Sequence, residues 1–144
     1  MRWSSELALI EKTFYVLFSI IVLPKTYAIT PPQNWDGYAL LEKIAACENT
    51  GDVNGVPRQF NDDGTPLWGN SPTIKGATTT DVGILQISLK YHQKEIDKLK
   101  LDVVNSAEDN VKYGKILFDR EGTKPWNASK STCWGKSDLI LRSQ

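Results

Sequence analysis

The stretch Thr80-Asp81-Val82-Gly83-Ile84-Leu85-Gln86-Ile87-Ser88 constrains this chain more than any other. An acidic residue runs into a glycine. The glycine leads into a short apolar run, interrupted by one Gln and closed by Ser. Glycine permits unusual dihedrals or close backbone approach at a bend. A Gln inside an apolar run requires a hydrogen-bond partner if it is buried, from the backbone or from a ligand. Two readings stand open on these residues alone: a strand–turn–helix join with a satisfied core Gln, or a segment lining a binding cleft.

The 144 residues carry 17 basic and 17 acidic side chains. That length suits one small globular domain, and the balanced charge lacks the basic footprint of nucleic-acid binders, so no nucleic-acid partner is expected. Residues 1–28 read as a signal peptide. Phe14 to Leu23 is an apolar run between Lys12 and Pro24, and Thr26-Tyr27-Ala28 places small residues at the first and third positions before a cleavage point. Glu6 and Glu11 in the leading segment keep an uncleaved N-terminal anchor open as the alternative. The domain proper is then 29–144, on an exported protein that is secreted, periplasmic or associated with the cell wall. Cys47 and Cys133 are the only cysteines. They are either buried free thiols or one disulfide, and export favours the disulfide. Such a bridge closes a loop of about 87 residues, worth roughly 4–5 kcal/mol if its effect is chain entropy.

After the Pro-Pro lead-in, Asn34 or Asp36 can cap a helix running to about Glu48. At 100° per residue, Tyr38, Leu40, Leu41, Ile44 and Ala45 form one apolar arc. Glu48 falls in the middle of that arc, either solvated at a frayed helix end or held against an apolar wall. An apolar wall raises a carboxyl pKa by desolvating the charged form, and a carboxylic acid still protonated near neutrality is suited to general-acid chemistry. Residues 49–80 are rich in Gly, Asn, Asp, Pro and Thr, and Asp63-Gly64 suggests a β-hairpin or an irregular flap. Asp52-Val53-Asn54-Gly55 is not followed by the ligands of a complete calcium loop, so no specific metal site is expected. Trp68 suits either the core or a sugar-stacking face. Leu89–Leu99 reads as a helix, with His92 on its surface. Ser106-Ala107-Glu108-Asp109 is a variant capping box that opens a helix from Ala107 to about Glu121, stopped by Gly122. Trp126 and Trp134 can close a small core or line a carbohydrate groove. The expected class is α+β, mainly α.

Four pieces stand in one order: Ala46-Cys47-Glu48-Asn49, the irregular segment, Asp81-Val82-Gly83-Ile84-Leu85-Gln86-Ile87-Ser88, and Asn110-Val111-Lys112-Tyr113-Gly114-Lys115-Ile116-Leu117 followed by Trp126-Asn127-Ala128-Ser129. Over about Trp35 to Trp134 this resembles the bacterial lytic transglycosylases of the lysozyme-like superfamily. Asp81 stands where c-type lysozymes keep a second carboxylate. Two positions depart from the family pattern. Asn49 follows Glu48 in place of Ser, and Trp126-Asn127-Ala128-Ser129 replaces Tyr-Asn-Ala-Gly.

The resemblance implies a small lysozyme-like domain with a hairpin or flap beside a cleft. It implies Glu48 and Asp81 as catalytic residues, with Gly83, Ile84, Leu85, Gln86, Ile87, Ser88, Tyr113, Trp126 and Asn127 against the substrate. It further implies a monomer acting on peptidoglycan glycan strands without a cofactor, in wall remodelling or beside a secretion or pilus apparatus. The implied bond is the β-1,4 link between N-acetylmuramic acid and N-acetylglucosamine. The outcome is a 1,6-anhydro sugar end, or hydrolysis in a muramidase. A non-catalytic wall-binding module is the remaining expectation.

Overall fold

The first helix, α1 (Ala39–Thr50), buries Leu41, Ile44, Ala45, Ala46 and Cys47. It starts later than its capping residues suggest. Asn34 Oδ1 accepts the Asp36 N–H at 2.7 Å within the lead-in, and the N-cap position falls to Tyr38 without a side-chain cap. It also ends later, because Gly51 adopts a left-handed conformation (φ +73°) and returns its N–H to Cys47 O. Glu48 therefore sits inside the last turn of an intact helix. The computed structural model describes residues 30–70 and 78–136. The expected signal peptide, residues 1–28, lies outside the described residues, as do 71–77 and the tail from 137.

Beyond α1 the chain makes a tight excursion rather than a long hairpin. Phe60 and Pro66 form a single antiparallel bridge around Gly64. Three short strands then form one antiparallel sheet in the order β1 (Trp68–Asn70), β2 (Thr78–Val82), β3 (Ile87–Ser88). β2 and β3 pair Val82 with Ile87 and Asp81 with Ser88. Residues Asp81–Ser88 are thus a hairpin feeding a helix, one strand more than the strand–turn–helix reading of the sequence. Helix α2 (Leu89–Leu99) follows at once, and α3 (Ala107–Glu121) after a short loop. Both have the bounds that the sequence predicts. Ser106 Oγ caps α3 by accepting the Asp109 N–H, but the Asp109 carboxylate binds Asp102 N–H at 2.8 Å instead of closing the capping box. A 3-10 turn (Lys124–Trp126) and a single-turn helix α4 (Asn127–Lys130) complete the described chain.

The domain is α+β and mainly helical. Its core packs one face of α1 and the Ala107, Val111, Gly114, Leu117 stripe of α3 around the Gly83–Gln86 turn. Leu85 is fully buried in that core, where a leucine contributes about 1.5–3 kcal/mol. A Cβ on Gly114 would overlap Leu85 Cδ1, so the missing side chain on α3 is what lets the turn dock. Cys47 and Cys133 form a disulfide that ties the end of α1 to the segment after α4.

Candidate functional site

The turn between β2 and β3 is clamped from three sides by amide side chains. Gln59 and Asn110 are both fully buried. Gln59 Oε1 accepts the Ile84 N–H at 3.1 Å, and its amide donates to Val103 O and Val104 O. Asn110 Oδ1 accepts the Leu85 N–H at 3.0 Å, while its amide donates to Val82 O and Val103 O. Asn49 donates to Ile84 O at 2.8 Å and to Gly83 O at 3.3 Å, and its Oδ1 accepts the Arg58 N–H. Gly83 has φ +77°, and a Cβ there would overlap both Gln59 Oε1 and Asn110 Nδ2. The glycine is required twice over, for its dihedral and for the space. The residue after Glu48 is therefore a strut: Asn49 couples the end of α1 to the turn.

This clamping corrects part of the sequence reading. Gly83, Ile84 and Leu85 are buried, and their polar backbone groups bond within the chain. They support a cleft rather than line it. Tyr113 is fully buried as well. Its hydroxyl donates to Glu95 Oε2 at 2.7 Å, and Arg120 binds the other oxygen of Glu95 at 2.6 Å. Burial and that bond push the phenol far above its usual range, so Tyr113 is a core residue here rather than a substrate contact. Asn127 is exposed and lines a separate hollow with Lys130, Ser131, Gly135 and Lys136. Trp126 is almost wholly buried, with its indole N–H donating to Leu85 O at 2.8 Å. It meets the cleft from within its wall, not as an open stacking face. Trp68 lies on β1, partly exposed.

The cleft itself encloses about 610 Å³. It brings Glu48, Asp81, Gln86, Ile87, Ser88 and Trp126 together from three separate parts of the chain. Lys90, Tyr91, His92, Glu121 and Lys124 also line it. His92, read from sequence as a surface residue, is half-buried and packs edge-on against Tyr113 with ring centroids 5.6 Å apart. Burial lowers its pKa, so the neutral ring is favoured. Gln86 donates to Gly83 O at 2.8 Å and holds φ +47°, a left-handed conformation uncommon for a residue with a Cβ. Strain of this kind concentrates at functional sites, at a cost of about 1–3 kcal/mol.

Glu48 is the chemically distinctive group. Burial raises its pKa above the usual carboxylate value of 4.5. A hydrogen bond from Ser129 opposes the rise, and the negative charge of Asp81 adds to it. Ser129 Oγ donates to Glu48 Oε1 and itself accepts the Trp134 indole N–H at 2.9 Å. Glu48 is part-buried in an intact helical turn, not solvated at a frayed helix end. Ser129, Asn49 and Gln59 are not among the sequence-derived site residues, and Trp134 is read there only as a core or groove residue. A signal for Ser129 was present. Ser129 and Cys133 are four apart, hence on one face of a helical turn, and Cys133 pairs with the neighbour of Glu48. Among the described residues no cluster of three or more His, Cys, Asp or Glu side chains is placed to hold a metal ion. No protein-family model matches the chain, and no curated protein or solved structure matches it.

Proposed function

We propose that this protein is an exported peptidoglycan-cleaving glycosidase, acting as a lytic transglycosylase on the β-1,4 bond between N-acetylmuramic acid and N-acetylglucosamine. The observation that carries the reading is Glu48: a carboxyl whose pKa is raised by burial, on the wall of a cleft of about 610 Å³, with a second carboxylate, Asp81, lining the same cleft. The resemblance of the segments around Glu48, Gly83–Ile87 and Asn110 to those enzymes supports the substrate. A disulfide suits an oxidising compartment, which supports export to the periplasm, the wall or the medium.

In this reading Glu48 donates its proton to the glycosidic oxygen as the bond from the anomeric carbon breaks. The positive charge that develops there is stabilised by the N-acetyl carbonyl of the substrate and by Asp81. Glu48, now a carboxylate, takes the proton of the 6-hydroxyl of the same muramoyl residue as that oxygen bonds to the anomeric carbon. The product ends in a 1,6-anhydro ring and Glu48 is protonated again. Gln86 and Ser88, which line the cleft, bind polar groups of the sugar in this reading. Asp81 also favours a second reading, a muramidase in which water is the acceptor, since conventional glycosidases work with two carboxyl groups.

The test is mass analysis of the soluble fragments released from purified peptidoglycan by the protein and by its Glu48→Gln variant. Anhydro-muropeptides from the parent are the expected result. The variant should lose activity by about 10²–10⁴-fold, the usual contribution of a general acid. Fragments one water heavier would select the muramidase. Wall binding without fragments, from a folded parent, would leave a binding module and sink both enzymatic readings.

A further inference from the structure

Glu48 has two carboxyl oxygens, and the fold treats them differently. Oε1 accepts the hydroxyl of Ser129. That hydroxyl has three polar neighbours: the Trp134 indole N–H at 2.9 Å, the Glu48 carboxyl, and the Trp126 carbonyl at 3.2 Å. The indole can only donate. It occupies a lone pair of the Ser129 oxygen and leaves the hydroxyl proton to an acceptor. Of the two acceptors Glu48 Oε1 lies nearer the hydroxyl than the Trp126 carbonyl does, so the proton points to the carboxyl group. The arrangement is anchored rather than incidental. Trp134 is buried, Cys133 N–H donates to Ser129 O at 2.9 Å, and the Cys47–Cys133 disulfide joins this turn to the residue before Glu48.

We infer that Ser129 is a positioning residue for Glu48, held as a donor by Trp134, and that its bond reserves Oε1 as the acceptor oxygen so that the transferable proton resides on Oε2. The inference rests on the proposed role of Glu48 as general acid. The pair Trp134–Ser129 sorts the two oxygens of the acid before substrate arrives, so that no reorientation of the carboxyl group is needed during proton transfer. The other titratable groups around the cleft are Asp81 on β2, Lys90, Tyr91 and His92 on α2, Glu121 at the end of α3, and Lys124. Of these, Asp81 is the one whose charge acts on Glu48, and it acts in the opposite sense to Ser129.

A donor to the carboxylate stabilises the charged form, so removing it raises the Glu48 pKa. A general acid works while protonated, so the alkaline limb of the pH–activity profile should move upward in Ser129→Ala. The limb is expected to rise by about one pH unit while kcat at the optimum falls about tenfold and KM stays put, as for a misplaced acid with intact binding. Ser129→Thr keeps the hydroxyl and should restore both. Trp134→Phe keeps the bulk but frees the hydroxyl, and should move the limb the same way by less.

The same variants are to be followed by carbon-13 NMR titration of the Glu side-chain carboxyls in the full protein. Glu48 is assigned there by the signal missing from Glu48→Gln. An upward movement of the Glu48 titration in Ser129→Ala, reversed in Ser129→Thr, is the expected result. If the parent cleaves no peptidoglycan, that same movement still upholds the contact while the catalytic reading falls. A Glu48 titration unchanged in Ser129→Ala overturns the inference, whether or not activity drops, because a loss without the titration change is structural.

Discussion

Two regions flank the same cleft and handle polar groups in opposite ways. In the Gly83–Gln86 turn, Gln59, Asn110 and Asn49 together bind the Ile84 and Leu85 N–H groups and the Gly83 and Ile84 carbonyls. The amides doing so are uncharged, and two of them are fully buried. At the end of α1, Glu48 is an ionisable group with one oxygen bonded by Ser129 and its charged form disfavoured by burial. The turn is polar chemistry used to fix a shape. The carboxyl end is polar chemistry whose charged form is disfavoured by burial. Rigid support of the first kind is what allows the second to be held in place, and the contrast separates scaffold from candidate chemistry along a motif that reads as one unit in sequence.

The largest expected effect concerns the carboxyl end, where the one disulfide lies. Replacing both Cys47 and Cys133 by Ser should cost about 4–5 kcal/mol in the chain-entropy account of cross-links, for a separation of 86 residues. Urea unfolding of the double variant against the parent measures it. The comparison predicts an uneven loss. Hydrogen-exchange protection should fall at Ser129–Trp134 and the end of α1, while amides of Ile84 and Leu85, held by Gln59 and Asn110, keep theirs. Equal loss in both regions would show that the turn depends on the disulfide and would merge the two.

A second test presses on the turn. Gly83→Ala should destabilise the protein by about 3–4 kcal/mol, through both a left-handed dihedral and the overlap with Gln59 and Asn110. Gly51→Ala is its control. That glycine also has a positive φ, +73°, in the left-handed helical region, but a Cβ there meets nothing within 4 Å. It should cost only about 1–2 kcal/mol, the dihedral alone. The difference between the two variants in denaturant midpoints isolates the close packing of the amide clamp. Equal costs would mean that Gln59 and Asn110 move aside easily and that the turn is less rigid than its hydrogen bonds imply.

The sequence made the helices legible and the site only half so. α2 and α3 carry their own boundaries: Ser106 caps, Gly122 stops, and apolar residues recur at helical spacing. α1 was misplaced at its start because Asn34 uses its side chain on Asp36, a local choice that spacing does not reveal. β3 is two residues long and exists by pairing with β2, which no local pattern announces. Glu48 was visible because a carboxylate in an apolar arc breaks the pattern. The roles of Gly83, Ile84, Leu85 and Tyr113 were not, since a motif records which residues gather and not which of them face solvent. Their actual partners, Gln59, Asn110 and Glu95, come from other elements.

The smallest effect tests the other half of the contrast. A carboxyl whose native pKa lies above its unfolded value makes folding less favourable as pH rises. Below about pH 4.5 both states are protonated and Glu48 costs nothing. As pH climbs through the ordinary carboxylate range, the unfolded chain releases the proton while the native one retains it. Stability falls until the pH passes the native pKa, then levels off. Glu48→Gln has the same size and no titration. It should match the parent in acid and exceed it in stability above the native pKa. Urea unfolding of both proteins across pH 4–8 reads the divergence. If instead the parent gained on the variant through that range, the Ser129 bond would outweigh burial and Glu48 would be a satisfied carboxylate. The two regions would then differ only in charge, and the claim that the carboxyl end is held apart for chemistry would lose its physical basis.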